Sequence, residues 1–157
     1  PRPPLTHPVP RAGTLPCPRS VPHRLAIIAP FRRFHKDPYL VIGADGRLTS
    51  IPDAYTPSDR FPDAQAFDPT TLSQTGLGGA EFNYIRNSVK ITMDAYDGTM
   101  HFYVADPDDP IIRAYEVVFP AMFEPLSAMP SDLHAHIRVP EALFTVQTRV
   151  FGRYHVT

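Results

Sequence analysis

The stretch from Val89 to Ala105 constrains this chain more than any other. Apolar and polar residues alternate almost without a break on both sides of Asp97-Gly98. A period of two belongs to a β-strand, whose successive side chains point to opposite faces. Asp-Gly supplies the positive-φ positions that a tight type I′ turn demands. Folding the chain about that turn predicts a hairpin pairing Ala95 with Met100, Met93 with Phe102 and Ile91 with Val104 on a core face. Asp94 with His101 and Thr92 with Tyr103 then make a polar face, so the hairpin reads as a half-buried sheet.

The same reasoning finds a first hairpin. Tyr39-Leu40-Val41-Ile42 is β-prone, Asp45-Gly46 turns, and Arg47 to Ile51 returns. The stretch Pro52 to Gly79, with four prolines and a Gly76-Leu77-Gly78-Gly79 run, reads as a long loop. Asp109-Pro110 opens a helix, with Asp109 as N-cap and proline in the first turn. Ile111, Ile112, Tyr115, Val118 and Phe119 recur at helical spacing until Pro120. Ser131 is a candidate cap for a short turn reaching Ile137. Pro140 starts a last helix with a broad apolar stripe of Leu143, Phe144, Val150, Phe151 and Tyr154. The expected class is α+β: short antiparallel hairpins, then C-terminal helices.

Proline sets the lower boundary of that fold. Eight of the 20 prolines lie in Pro1 to Pro22, and proline has neither the amide nor the φ freedom for helix or sheet interiors. Residues 1–23 are therefore expected to be a disordered Pro/Arg-rich tail, with residues 24–157 as a partial α+β domain. Residues 1–36 carry seven bases and no acid, and the remainder carries eight bases and sixteen acids. The bases are spaced by prolines and share no helical face, so a solvated tail explains them. An overall net charge of -1 argues against a nucleic-acid partner. No apolar run reaches the ~18–20 residues of a membrane span, and the basic start lacks the apolar stretch of a signal peptide. The lone Cys17 excludes an internal disulfide framework and a cysteine-based zinc site.

Few residue groups carry chemistry. His134-Ala135-His136 places two imidazoles two apart, which share a face only on a strand, and the surroundings read as helical. Asp106-Pro107-Asp108-Asp109 is acidic, but it lacks the spacing, glycine and glutamate of a calcium loop, and capping explains Asp109. The glycine run lacks the lysine and serine of a phosphate cradle. No metal and no cofactor is expected, and no catalytic residue stands out. The polar residues Asp53, Tyr55, Tyr84, Arg86 and Asn87 are the candidate ligand-binding set, with local backbone hydrogen bonding as their plainer explanation.

Several short blocks in a fixed order carry a resemblance. They include Asn83-Tyr84-Ile85-Arg86-Asn87-Ser88-Val89-Lys90, Asp94-Ala95-Tyr96-Asp97-Gly98-Thr99, and Phe102-Tyr103-Val104-Ala105-Asp106-Pro107-Asp108-Asp109-Pro110-Ile111. Ile28-Ala29-Pro30-Phe31, Asp53-Ala54-Tyr55-Thr56 and Phe123-Glu124-Pro125-Leu126-Ser127 add to them. From about Arg24 to Thr157 the chain resembles the large bacterial membrane proteins grouped as uncharacterised protein family 0182, some of them labelled transporters. Pro1 to His23 resembles nothing in that family, and Ser50 stands where the likeness leads one to expect an aromatic residue.

The resemblance implies a longer parent with N-terminal spans in a bacterial plasma membrane. This chain would be an extracytoplasmic segment whose partner is the rest of that protein. It brings no catalytic residues with it. The leading expectation is a structural, interaction or solute-handling segment. The alternative is a soluble ligand-binding or hydrolytic domain using the Tyr84/Arg86/Asn87 and Asp53/Tyr55 cluster, and a third reading is a gene remnant that folds poorly. A fragment that exposes its last apolar stripe is expected to self-associate.

Overall fold

A computed structural model describes residues 23, 33–34, 38–68, 70, 72, 77 and 81–155. The expected tail, apart from His23, lies outside the described residues. So do Cys17 and the glycine run apart from Leu77.

A seven-stranded sheet and C-terminal helices make an α+β fold. The strands are β1 (Arg33–Phe34), β2 (Tyr39–Ile42), β3 (Leu48–Ile51), β4 (Asp53–Ser58), β5 (Tyr84–Asp94), β6 (Met100–Val104) and β7 (Phe123–Pro125). Helix α1 is Pro110–Val118, α2 is Ser131–His134 and α3 is Glu141–His155. The long β5 organises the sheet. One edge pairs with β4 and then β3, and the other pairs with β6. All pairs are antiparallel except β6 with β7, a parallel pair that the hairpin pattern does not foretell.

The Asp97-Gly98 hairpin forms, but in a different register. Met93 pairs with Met100, Ile91 with Phe102 and Val89 with Val104. The loop is longer than a two-residue turn because Asp94 holds it from within. Its Oδ1 accepts from the Tyr96 and Asp97 amides at 2.7 and 3.1 Å, and its carbonyl accepts from Gly98 N at 3.0 Å. Gly98 keeps a φ of +76°. The shift is two residues, so each side chain keeps its face; a shift of one would reverse them all.

Two other expectations change. The supposed loop after Pro52 contains β4, including Pro57. Pro57 lies past the two-residue β1, where β4 has only β5 as a described partner, and such positions tolerate proline's missing donor. Ser131 is the first residue of α2 and makes no side-chain cap; Pro130 precedes it.

Both faces of the sheet are covered. On one, Ile112 of α1 packs on Ala54, Val89, Ile91, Phe102 and Val104. The other face is not the exposed polar surface expected for the hairpin. Thr92 and Tyr103 are each 3% exposed, and Tyr103 packs with Val41, Ile51, Met129 and Leu133. Further along that face, Tyr55, Leu72, Leu77 and Phe82 meet Ala142 and Val146 of α3.

Candidate functional site

The five polar candidates lie on neighbouring strands, yet the sheet divides them. The cause is a bulge. Ala54 pairs with Val89 and Thr56 with Arg86, so Tyr55 alone faces Asn87 and Ser88 together. An extra residue in one strand reverses the side-chain alternation beyond it. Tyr84 and Arg86 therefore join Val89 and Ile91 on the α1 face, where unbroken alternation would put them on the other. Asn87 steadies the irregular stretch by donating to the Ala54 carbonyl.

On the α1 face the convergence point is Asp109, which sequence reasoning assigns only to capping. It does cap α1, accepting from Ile111 N at 3.0 Å. It is also fully buried. Thr56 Oγ1 and Tyr84 Oη each lie 2.9 Å from its oxygens, and Ser88 Oγ donates to it as well. Burial pushes this carboxyl up. The hydrogen bonds from Ser88, the Ile111 amide, Thr56 and Tyr84 outweigh that and hold it below its ordinary value. Burial and the same carboxylate drive the Tyr84 phenol up to about 12.

Neighbouring groups fix this cluster in turn. Phe61 stacks on Tyr84 with ring centroids 4.6 Å apart, and Asn83 holds Phe61 by bonds to its amide and carbonyl. Arg86 pairs with Asp106, and Asp108 pairs with Arg113 at 2.7 Å. Each of the three acids in the Asp106–Asp109 run thus has its own partner.

The other three candidates sit behind the sheet at the start of α3. Asp53 and Tyr55 are buried, and Lys90 beside them is 8% exposed. Lys90 Nζ donates to Asn87 Oδ1 and lies 3.4 Å from the Arg138 carbonyl. Burial lowers the lysine's affinity for its proton, and the Asp53 charge opposes that. Helix α3 follows Pro140, which has no side-chain cap to offer. Tyr55 Oη stands beside the Ala142 amide in that first turn, buried and without a partner at hydrogen-bonding geometry among the described residues. Burial, with Asp53 adding to it, raises its phenol well above the ordinary value.

Two further features complete the inventory. His134 and His136 are exposed around the end of α2. Among the described residues no three His, Cys, Asp or Glu side chains are grouped so that they could hold a metal ion. A cleft of about 610 Å³ runs under the second half of α3, floored by Phe67, Phe82 and Ile85. Arg149, Val150 and Arg153 form its wall. Nothing in the linear sequence marks this cleft, because its two sides are brought together only by the fold.

The model of an uncharacterised protein family, UPF0182, matches residues 5–157. This chain belongs to that family. The match begins well inside the proline-rich stretch, earlier than the resemblance alone suggests. A UPF0182 protein of Cupriavidus necator is 49% identical over 138 residues. Relatives from Methanospirillum hungatei and Geobacter sulfurreducens are 43% and 48% identical over 139 residues. Each alignment takes in 88% of this chain but only 14–15% of the relative. The chain therefore spans about a seventh of the length of the UPF0182 proteins it matches. No solved structure matches it.

Proposed function

We propose that this chain is one folded segment of a much larger, membrane-anchored UPF0182 protein. In this reading it lies on the extracytoplasmic side and contributes structure, partner contact or solute handling. The observation that carries the reading is the 14–15% share of its relatives that the chain covers. Anchoring would fall to other parts of the protein, because among the described residues no helix is long and apolar enough to cross a membrane.

The polar geometry supports the same reading. Asp109 spends its oxygens on a helix cap and on the sheet, and Arg86 spends its charge on Asp106. A self-contained ligand-binding or hydrolytic centre built from Asp53, Tyr55, Tyr84, Arg86 and Asn87 would need them in one place, and the sheet stands between them.

The test is topology in a full-length family member that contains this segment. Alkaline phosphatase is active only after export, so its fusion immediately after the segment should be active, while a cytoplasmic reporter fused there should be silent. Membrane fractions washed with carbonate should retain the protein. The reverse reporter pattern, or release by carbonate, would overturn the proposal.

A further inference from the structure

The inner stripe of α3 changes partner half-way along. Ala142 and Val146 are buried at 0% and 8% exposure against Tyr55, Leu72 and Phe82. Continued at helical spacing, the stripe becomes Arg149, Val150, Arg153 and Tyr154, and these overhang the cleft instead of a packed core. Val150 is 44% exposed and Tyr154 71%. The outer flank is apolar too, with Phe144 and Phe151 at 60% and 64%. A helix apolar on both flanks is ordinarily enclosed by a larger body.

We infer that the cleft beneath α3 receives an apolar, carboxylate-bearing segment of the same full-length UPF0182 polypeptide. Three observations select that occupant. A ligand sized to the cleft would leave Phe144 and Phe151 in water, so the cover must be macromolecular. The wall carries two guanidinium groups. Arg149 lies near Asp68, a carboxylate that lines the same cleft, and Arg153 donates to a neutral acceptor, Gln65 Oε1, at 3.2 Å, with no acidic partner among the described residues. That leaves the wall complementary to an acidic side chain. Finally, relatives have some 85% of their length outside the matched region, judging from the 14–15% covered, and an intramolecular segment acts at high effective concentration. The inference rests on the proposal that the chain is part of a larger protein.

The experiment places a benzophenone photo-cross-linker at Tyr154 in a full-length family member containing this segment, with Tyr96 at the hairpin tip as an exposed control. Cross-linked peptides are mapped on a mixture of isotopically heavy and light protein. The expected product joins Tyr154 to a peptide outside residues 1–157 of the same molecule. The double variant R149E/R153E should lower its yield by up to about fivefold, the change that loss of a surface ion pair worth up to ~1 kcal/mol gives. Arg149→Lys with Arg153→Lys should restore most of it, and unchanged melting of these exposed-site variants shows that they fold.

Cross-links only within residues 1–157, only to lipid, or between heavy and light copies would overturn the inference. So would a yield indifferent to charge reversal. The reporter fusions are independent of this result: intramolecular cross-links with cytoplasmic reporters would sink the extracytoplasmic placement alone.

Discussion

The two helices that flank the sheet meet it in opposite ways. Helix α1 is short, yet its start is firmly tied: Ile112 is fully buried in the sheet's core and Asp109 joins the helix start to Thr56, Ser88 and Tyr84, while Val117 and Val118 at its far end are 82% and 63% exposed. Helix α3 is longer, yet only its first turns are seated, and its second half stands over a cleft. Helix length therefore does not measure how firmly an element is held. Buried area and satisfied polar groups do. The start of α1 is held by a buried polar cluster, whereas no residue of the second half of α3 is buried; the segment inferred above would cover it.

The comparison breaks most sharply on a pair of truncations. Ile112→Ala should cost about 3–4 kcal/mol, the loss expected for a fully buried aliphatic side chain that leaves a cavity. Val150→Ser should change stability by no more than about 0.5 kcal/mol, as at an uncommitted surface. Urea denaturation followed by circular dichroism measures both. Equal costs would show that the two helices are held alike.

The next effect concerns the polar half of the α1 contact. Asp109→Asn keeps the shape but loses the charge to which three hydroxyls and an amide are directed, and should cost about 2 kcal/mol. The carboxyl's folded pKa lies below its ordinary value, so its contribution is present above that ordinary value and is lost as the pH falls through the lower folded one. Acid unfolding curves of the parent and of Asp109→Asn should therefore converge at low pH. Curves that stay parallel would show that this charge is not what the cluster uses.

How much of this was legible follows from where each signal resides. The two hairpins and the Asp109 cap are visible in the sequence because alternation, Asp-Gly and Asp-Pro act over a few residues. The register of the second hairpin is not visible, because it depends on Asp94 binding its own loop amides. Strand β4 is hidden by the prolines around it. The division of the five polar candidates turns on a bulge at Asn87-Ser88, where no glycine or proline announces an irregularity. The Asp109 cluster draws on β4, β5 and the start of α1, and no local pattern reports a convergence of residues so far apart in sequence.

Tyr84 gives a smaller effect at the other end of the pH scale. Its phenol is raised from 10.0 to about 12 in the folded protein. The neutral form is therefore favoured by folding. That stabilisation is complete below pH 10 and disappears as the pH rises through about 12. Tyr84→Phe should cost about 1 kcal/mol near neutrality and should flatten the alkaline decline. An unaltered alkaline limb would mean that other tyrosines carry it.

The smallest effect belongs to the hairpin tips. Arg47 Nε is 2.7 Å from Asp94 Oδ2 and its Nη2 is 3.2 Å from Asp97. The hydrogen bond from Arg47 holds Asp94 at about 2. Arg47→Ala should move the Asp94 titration toward 3.8, as followed by carboxyl carbon resonances, with little change in melting temperature. A large fall in melting temperature would place structural weight on a surface pair that the geometry does not give it.

Amide hydrogen exchange addresses the contrast between the two helices directly. In the 157-residue chain, amides of α1 and of β5 should exchange only through global unfolding, and those of Thr148 to His155 through local opening at much lower free energy. In a full-length family member the same α3 amides should become as protected as those of α1. Slow exchange throughout α3 in the 157-residue chain, matching α1, would contradict the conclusion that its second half awaits a partner.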